Sequence, residues 1–262
     1  VFLFVMFGSV LSHAGGAEFM FQLAAALTGR SPGGPAKIAV ISSGMYGMIS
    51  GSPTSDVATT GSITIPIMKR LGYSPRFAGA VEVAASTGGA AMPPVMGSAA
   101  FILAEYTGID YRNVVLAALI PAILYYIGVY LQVHFRAVRQ GLQGVKDVDP
   151  VQETLKTGWV FVIPLVVITV ALLMGYTPTY VAVYGTVALV VASLLPKRTR
   201  MTPRKMLEGL GEATIRMLPV AGACAAAGLI IGGLTMTGLA LKTSSLVLML
   251  SGSGPFVVLL LA

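Results

Sequence analysis

Charged residues and cysteines are scarce in this sequence of 262 residues. Only 10% of the residues are Asp, Glu, Lys or Arg, whereas 55% are hydrophobic, and the mean hydropathy is +0.83. These values exclude an ordinary soluble domain and are typical of a membrane protein. The single cysteine, Cys224, lies in an apolar run, so it can form no internal disulfide and has no partner spaced for zinc binding.

The sequence also lacks the motifs of soluble enzymes. It contains no His-Glu-x-x-His motif, no phosphate-binding loop and no pair of aspartates on facing apolar segments. The net charge of +7 could indicate nucleic-acid binding, but the basic residues lie in short loops between apolar runs, which is the pattern of membrane topology. We therefore expect no enzymatic activity, no nucleic-acid partner and no cofactor.

A polar, glycine-containing segment at residues 50–61 separates two short apolar arms, and the rest of the chain is organised around it. As a helix each arm would be about 18 Å long, too short to cross a hydrocarbon core of about 30 Å. We therefore predict a re-entrant helical hairpin over about 38–68, with its tip at 51–55 near mid-membrane. Irregular backbone at that depth occurs only where protein buries it or where it lines a wet cavity, so the tip is a candidate site.

The apolar segment at about 77–103 is long enough to span, but its middle contains Pro93 and Pro94. Each proline removes a backbone donor and crowds the preceding turn. This pattern predicts a broken helix with free carbonyl groups over 86–91, close to the hairpin tip. Further spans are predicted at 114–135, 159–174, 179–195, 217–239 and from 246 onward, with an interfacial helix at 17–27 and an amphipathic helix at 203–215.

The distribution of basic residues supports a re-entrant hairpin. If both hairpin ends lie on one side of the membrane, nearly all loop Lys and Arg residues share that side, and only Arg112 and Lys242 lie opposite. The positive-inside rule then places the mouth of the hairpin in the cytoplasm. Because the chain begins and ends inside apolar runs, we expect it to be part of a longer protein.

The hairpin tip and the broken helix carry hydroxyl and carbonyl oxygens, which suit a small cation, and secondary transporters use such pairs of elements to form mid-membrane sites. Close packing of small residues without any ion explains the same composition equally well. The candidate ion ligands are Ser52, Pro53, Thr54, Ser55, Ser86, Thr87 and Gly88. Capping or substrate-side roles are assigned to Asp56, Gly89, Pro93 and Pro94.

Two acidic residues lie close to these elements. An ionisable residue inside a membrane is a functional hypothesis by default, but Asp56 is also placed to cap the second arm of the hairpin, and we take capping as its direct role. Glu82 is expected to have a structural role, either at the interface or paired with one of three nearby basic residues. These are Lys69, Arg70 and Arg76.

Several segments resemble the large membrane subunit of TRAP transporters, the tripartite ATP-independent periplasmic transporters. The resemblance is carried by residues 50–69, Gly72-Tyr73, 77–80, 84–89 and Met92-Pro93-Pro94, and it covers most of residues 1–143. The details are most similar to the TAXI-type form, in which the small and large membrane subunits are fused in one chain.

The resemblance implies a sodium-driven elevator importer built from two inverted repeats. Residues 1–143 would form the first repeat, and residues 144–262 would form further transmembrane helices and the truncated start of the second. It also implies a sodium site between the hairpin tip and the broken helix, which maps to Ser52, Ser86, Thr87 and Gly88. The implied partners are a periplasmic substrate-binding protein, a fused small membrane subunit, membrane lipid and a small organic anion.

The sequence therefore predicts an all-α, polytopic protein of the bacterial or archaeal inner membrane. Its predicted function is that of a permease subunit for sodium-coupled uptake of a small organic anion, a carboxylate. Two alternatives stay open. One is a proton-coupled carrier that uses Asp56 or Glu82, and the other is a membrane scaffold or assembly subunit whose hairpin only packs.

Overall fold

The computed structural model describes residues 1–145, 148–194 and 201–239, together with Lys242 and Ser245. Every regular element in these residues is an α-helix, as the sequence predicted. In chain order the helices are α1 (Phe2–His13), α2 (Gly16–Thr28), α3 (Gly34–Ser50), α4 (Pro53–Thr59), α5 (Gly61–Arg70), α6 (Pro75–Gly89), α7 (Ser98–Thr107), α8 (Tyr111–Arg139), α9 (Val151–Leu173), α10 (Pro178–Leu194) and α11 (Pro203–Met236).

Among the described residues, three helices, α8, α9 and α11, are long and apolar enough to cross a membrane. The pair α1 and α2, bent by 71°, would add a fourth crossing if it forms one span, and α10 is a shorter apolar helix. On α8, Ile120 and Leu124 are 67% and 63% exposed. Such exposed apolar faces are explained by contact with lipid, which agrees with the predicted multi-pass protein.

The chain divides into two compact units, residues 1–216 and 217–262. In the first unit one apolar core joins α1, α2, α9 and α10 around Phe7, Leu11, Met20, Ile168 and Leu189. A second, smaller core lies between α3, α5, α6 and α8. Helix α2, predicted to lie in the membrane interface, packs against α3 and α9 and buries Phe19 and Met20.

The predicted hairpin is present as a helix-turn-helix from Gly34 to Arg70, four residues longer at its start than predicted. Helix α3 ends at Ser50 because Gly51 adopts a left-handed conformation with φ of +61°. The second arm begins with Pro53 at its first position, where a missing N–H costs nothing. Helices α4 and α5 follow each other through Thr60, whose backbone is itself helical. Whether the hairpin re-enters the membrane stays a prediction.

The segment predicted as a broken helix forms two helices, α6 and α7, separated by residues 90–97. The break contains both prolines. The prediction that the carbonyls of 86–91 are free is wrong for three of them, because local turns use them. The carbonyl of Gly88 accepts from the Ala91 N–H, that of Gly89 from Met92, and that of Ala90 from Gly97.

One helix boundary was predicted wrongly near the end of the described chain. The amphipathic helix at 203–215 and the span at 217–239 are one continuous helix, α11. No helix-breaking residue lies between the two segments, and Pro219 is accommodated inside the helix. The span predicted from residue 246 lies outside the described residues. The division into inverted repeats at residue 143 also stays a prediction.

Candidate functional site

The turn of the hairpin lies directly against the break between α6 and α7. The Met96 N–H donates to the Met48 carbonyl over 3.3 Å, and a Cβ on Gly51 would lie 2.6 Å from the Met96 carbonyl oxygen. One turn away, a Cβ on Gly47 would lie only 2.8 Å from Cα of Gly89. The two elements therefore meet backbone to backbone, which glycine alone permits.

Asp56 lies at this junction, fully buried on α4. Its Oδ1 accepts a hydrogen bond from the Ser50 hydroxyl, and its Oδ2 has no hydrogen-bond partner among the described residues. The same Oδ2 would lie 2.9 Å from a Cβ on Gly47, so it faces the side on which Gly89 approaches.

The predicted capping role of Asp56 is wrong. Because Pro53 takes the first position of α4, Ser52 is the N-cap residue, and Asp56 lies at the end of the first turn. Its carboxylate therefore accepts from the Ser50 side chain rather than from a backbone N–H at the helix start. The Ser52 N–H donates to the same Ser50 hydroxyl, over 3.2 Å.

Ser86 contributes a second buried polar atom from α6. The residue is fully buried, and its Oγ makes no hydrogen bond to any residue that the structure describes. Ser86 and Gly89 are three positions apart and share a face of α6. We refer to Asp56 Oδ2 and Ser86 Oγ as the two open oxygens. A buried polar atom left in this state costs about 1–3 kcal/mol, so each is suited to accept a ligand.

The other predicted ion ligands are not all at the junction. Ser52 and Ser55 are half-buried near the tip, whereas Thr54 is exposed. Thr87 is also exposed and donates to the Val83 carbonyl over 2.7 Å. A Cβ on Gly88 would lie 2.4 Å from the Tyr125 ring, so that residue faces α8. The remaining candidates, Pro53, Pro93 and Pro94, are half-buried around the turn and the break.

Glu82 lies deeper in the protein than predicted. It is fully buried, and its carboxylate accepts from three hydroxyls: Ser43 over 2.7 Å, Thr60 over 2.5 Å and Thr64 over 2.5 Å. The expected pairing with a basic residue is wrong, because Lys69, Arg70 and Arg76 are all exposed to the outside of the protein. Sequence reasoning missed this cluster. The only signal was the spacing of Thr60 and Thr64, which places both hydroxyls on one helical face.

The whole chain matches one protein-family model. Residues 1–262 match the model described as the DctM component of tripartite ATP-independent periplasmic transporters. The chain belongs to the DctM family. The resemblance to the large membrane subunit of TRAP transporters is thereby confirmed. The chain is a multi-pass inner-membrane protein of a transporter family rather than an enzyme. The TAXI-type fused form stays a prediction.

Curated relatives of this DctM-family chain are distant. The C4-dicarboxylate TRAP transporter large permease protein DctM of Pseudomonas aeruginosa is 26% identical over 82% of this chain and 51% of its own length. The sialic acid TRAP transporter large permease protein SiaM of Vibrio cholerae is 25% identical over 68% and 42%. The isethionate TRAP transporter permease protein DctMQ of Oleidesulfovibrio alaskensis is 25% identical over 63% and 26%. The chain spans about half the length, or less, of the curated relatives it matches.

This DctM-family chain also contains a charged network that joins α11 to α1. Arg216 donates to Oε1 of Glu212 over 2.6 Å, within α11. The other oxygen of Glu212 accepts from the Ser9 hydroxyl over 3.1 Å and lies 3.3 Å from Nδ1 of His13. Partners that lie about 200 residues away could not be inferred from the sequence.

The described part of the DctM-family chain contains no group of three or more His, Cys, Asp or Glu side chains that could hold a metal ion. A transition-metal centre or a calcium cage would need such a group. Asp56 and Ser86 instead offer one carboxylate oxygen and one hydroxyl oxygen without hydrogen-bond partners among the described residues. These are hard ligands of the kind that replaces the water around a small monovalent cation.

Proposed function

We propose that the complete permease imports a small organic anion and that sodium drives the uptake. In this proposal a periplasmic binding protein delivers the substrate, and a small membrane subunit, fused to the large one, completes the transporter. The membership of the DctM family supports this function. Because the chain corresponds to about half of its relatives, the substrate site between the two halves would need the rest of the parent protein.

The observation that carries the proposal is the pair of open oxygens at the junction. Asp56 Oδ2 comes from α4 and Ser86 Oγ from α6. Gly47 of the first hairpin arm approaches Gly89 of α6, and a Cβ on Gly47 would lie 2.9 Å from Asp56 Oδ2. A sodium ion bound there would receive a carboxylate and a hydroxyl ligand and would bridge the two elements. Binding would thus stabilise the closed junction, which gives the ion a means of coupling to movement of the hairpin.

The names of the relatives support an anionic substrate. The three relatives described above are named for C4-dicarboxylates, sialic acid and isethionate. All three compounds are small organic acids. The first two are carboxylates and the third is a sulfonate, so the names favour an organic anion in general over a carboxylate in particular. The tip of the hairpin adds a helix N-terminus at Pro53, where negative groups are favoured.

Proton coupling is the second candidate, and Oδ2 of Asp56, one of the two open oxygens, favours it as well. Oδ2 of Asp56 could hold a proton instead of approaching a sodium ion. The two candidates differ in which gradient drives uptake. We therefore propose measuring uptake by the full-length parent permease with its binding protein in proteoliposomes, under an inward sodium gradient or an inward proton gradient alone.

Sodium coupling predicts that the sodium gradient alone drives uptake and that Ser86→Ala raises the sodium concentration needed for half-maximal rate. Ser62→Ala is the control, because the exposed Ser62 hydroxyl donates to the Thr59 carbonyl within the second hairpin arm. Uptake that follows the proton gradient and ignores sodium would favour the proton-coupled carrier. Normal sodium dependence with altered thermal stability in Ser86→Ala would favour a role in packing.

A further inference from the structure

Three hydroxyls from the two arms of the hairpin converge on one carboxylate of α6. Ser43 comes from the first arm, Thr64 from the second arm, and Thr60 from the joint between α4 and α5. Ser43 and Thr60 both donate to Oε1 of Glu82 and lie 2.9 Å from each other, and Thr64 donates to Oε2. The side chain of Glu82 therefore touches both arms at once.

The hydroxyls compensate for the burial of this carboxylate. A buried carboxylate is costly unless its oxygens accept hydrogen bonds, and Glu82 contacts no basic side chain in the described part of the chain. The backbone of α5 also approaches closely, since a Cβ on Gly61 would lie 3.0 Å from Cγ of Glu82. Because hydroxyl hydrogen bonds are short and directional, the cluster holds α3, α5 and α6 at fixed distances.

On each helix that contributes to the hydroxyl cluster, the cluster lies one helical turn from the junction. On α3, Ser43 precedes Gly47 by four residues. On α6, Glu82 precedes Ser86 by four residues, and on the second arm Thr60 follows Asp56 by four. Residues four apart are neighbours on one helical face. The hydroxyl cluster and the junction are thus consecutive layers of the same three-helix contact.

We propose that Glu82 is a positioning residue that sets the spacing of the two open oxygens by clamping both hairpin arms to α6. This inference rests on the proposed function and assigns no ion contact to Glu82. In the clamp, loss of one hydroxyl lets the second arm and α6 separate in the layer next to the junction. The ion then binds more weakly, whereas the maximal rate of transport changes less.

Thr64 gives the cleanest test, because its hydroxyl is 2.5 Å from Oε2 of Glu82 and that oxygen is its one acceptor among the described residues. Thr60 is less suitable, since its hydroxyl also lies 2.7 Å from the Asp56 carbonyl. Thr64→Val keeps the shape and removes the hydroxyl, whereas Thr64→Ser keeps the hydroxyl and removes a methyl group. The two substitutions therefore separate the clamp from simple packing.

The experiment measures the half-saturating sodium concentration for uptake by the full-length permease with its binding protein. The clamp predicts an increase of at least about tenfold for Thr64→Val, as expected from losing one hydrogen bond to a charged group, and a change below about twofold for Thr64→Ser. A packing role predicts the reverse order, because Ser creates a small cavity and Val does not. The reverse order, or equal effects, would overturn the proposal.

Thr59 provides the matched control on the neighbouring turn. It is half-buried, and its hydroxyl donates to the Ser55 carbonyl within α4 rather than to Glu82. The half-saturating sodium concentration should be the same in Thr59→Val and Thr59→Ser. If Thr59→Val raised the half-saturating sodium concentration above that of Thr59→Ser as much as the matching pair does at Thr64, the effect would not pass through Glu82. That result would also overturn the proposal.

A second readout keeps this test independent of sodium coupling. In a parent permease without other cysteines, Ser52→Cys reports the accessibility of the hairpin tip to a maleimide reagent in membranes. The clamp predicts faster labelling in the Thr64→Val background than in the Thr64→Ser background. If wild-type uptake ignores sodium, the proposed function fails, but faster labelling in the Val background would still support the clamp. Equal labelling rates in the two backgrounds would overturn it.

Discussion

Gly47 is a residue at which the backbones of α3 and α6 approach each other closely. A methyl group there would lie 2.8 Å from Cα of Gly89 and 2.9 Å from Oδ2 of Asp56. Because Cα of Gly89 is a backbone atom, it cannot move away by a side-chain rotation. We expect Gly47→Ala to push the two elements apart, to lower the unfolding temperature in detergent and to abolish sodium-dependent uptake.

Gly79→Ala on α6 is the control for Gly47→Ala. In the described residues no heavy atom lies within 4 Å of a Cβ placed at Gly79. Because alanine favours a helix over glycine by up to about 1 kcal/mol, this variant should be as stable as the wild type or slightly more stable. Equal unfolding temperatures for the two variants would contradict the close approach at Gly47.

Ser86→Ala tests whether the buried Ser86 hydroxyl binds an ion or only lies buried without a partner among the described residues. Without sodium the substitution should raise the unfolding temperature, because it removes a buried polar atom that costs about 1–3 kcal/mol where it has no partner. If Ser86 binds sodium, the increase in unfolding temperature that sodium gives the wild-type protein should become smaller, because a ligand that binds the folded state stabilises it. Thermal unfolding at several sodium concentrations measures both effects. Full sodium stabilisation in Ser86→Ala would remove Ser86 from the site.

Individual candidate site residues could be proposed from the sequence only where it places them in an unusual setting. Ser52 and Asp56 lie in a polar segment between apolar arms, so that segment indicated a site by itself. Glu82 did not stand out as a hydrogen-bonding centre, because its partners lie 18, 22 and 39 positions away. No local pattern indicates which distant hydroxyls will face a carboxylate after folding.

At the scale of elements, α2 and α9 make the tightest contact away from the junction. A Cβ on Gly158 of α9 would lie 1.9 Å from the ring of Phe19, which itself stacks on Phe161 at 5.4 Å. Gly158→Ala should therefore destabilise the protein by about 1–3 kcal/mol, the usual cost of overpacking. Phe19→Leu should relieve part of this loss, which a double-mutant cycle of unfolding free energies would detect.

For this contact, Gly128 of α8 offers a control without a close neighbour among the described residues. Within the described chain, nothing lies within 4 Å of a Cβ at that position. Gly128→Ala should leave the unfolding free energy nearly unchanged or slightly higher.

Side chains that compete for the same space have coupled effects on stability. An additive result for Gly158→Ala and Phe19→Leu would therefore contradict the close contact between α2 and α9.

Most helices could be predicted from apolar runs and breakers, but the boundary near residue 216 could not. Pro53 and the proline pair at 93–94 fixed the start of α4 and the break after α6, because a proline restricts the backbone in any environment. The predicted boundary between two helices near residue 216 was based on a change from amphipathic to apolar composition. Such a change does not end a helix, and α11 runs through it.

At the scale of the whole molecule, a re-entrant hairpin fixes the sidedness of every later loop. Arg30 precedes the hairpin and Lys69 lies at its end, and both are exposed. We expect Arg30→Cys and Lys69→Cys to react with an impermeant maleimide from the cytoplasmic side only, and Asn113→Cys at the start of α8 to react from the periplasmic side only. Labelling of Arg30→Cys and Lys69→Cys from opposite sides would mean that the hairpin crosses the membrane.

The coupling ion is proposed to bind where the hairpin turn meets the break after α6. The most direct measurement is a sodium titration of uptake by the full-length permease with its binding protein, for the wild type and for Asp56→Asn. Asparagine keeps the shape of the side chain and removes its charge. Sodium binding at Asp56 predicts an increase of at least about tenfold in the half-saturating sodium concentration, equivalent to a loss of about 1.4 kcal/mol of binding free energy. An unchanged sodium requirement in a stable Asp56→Asn protein would contradict it.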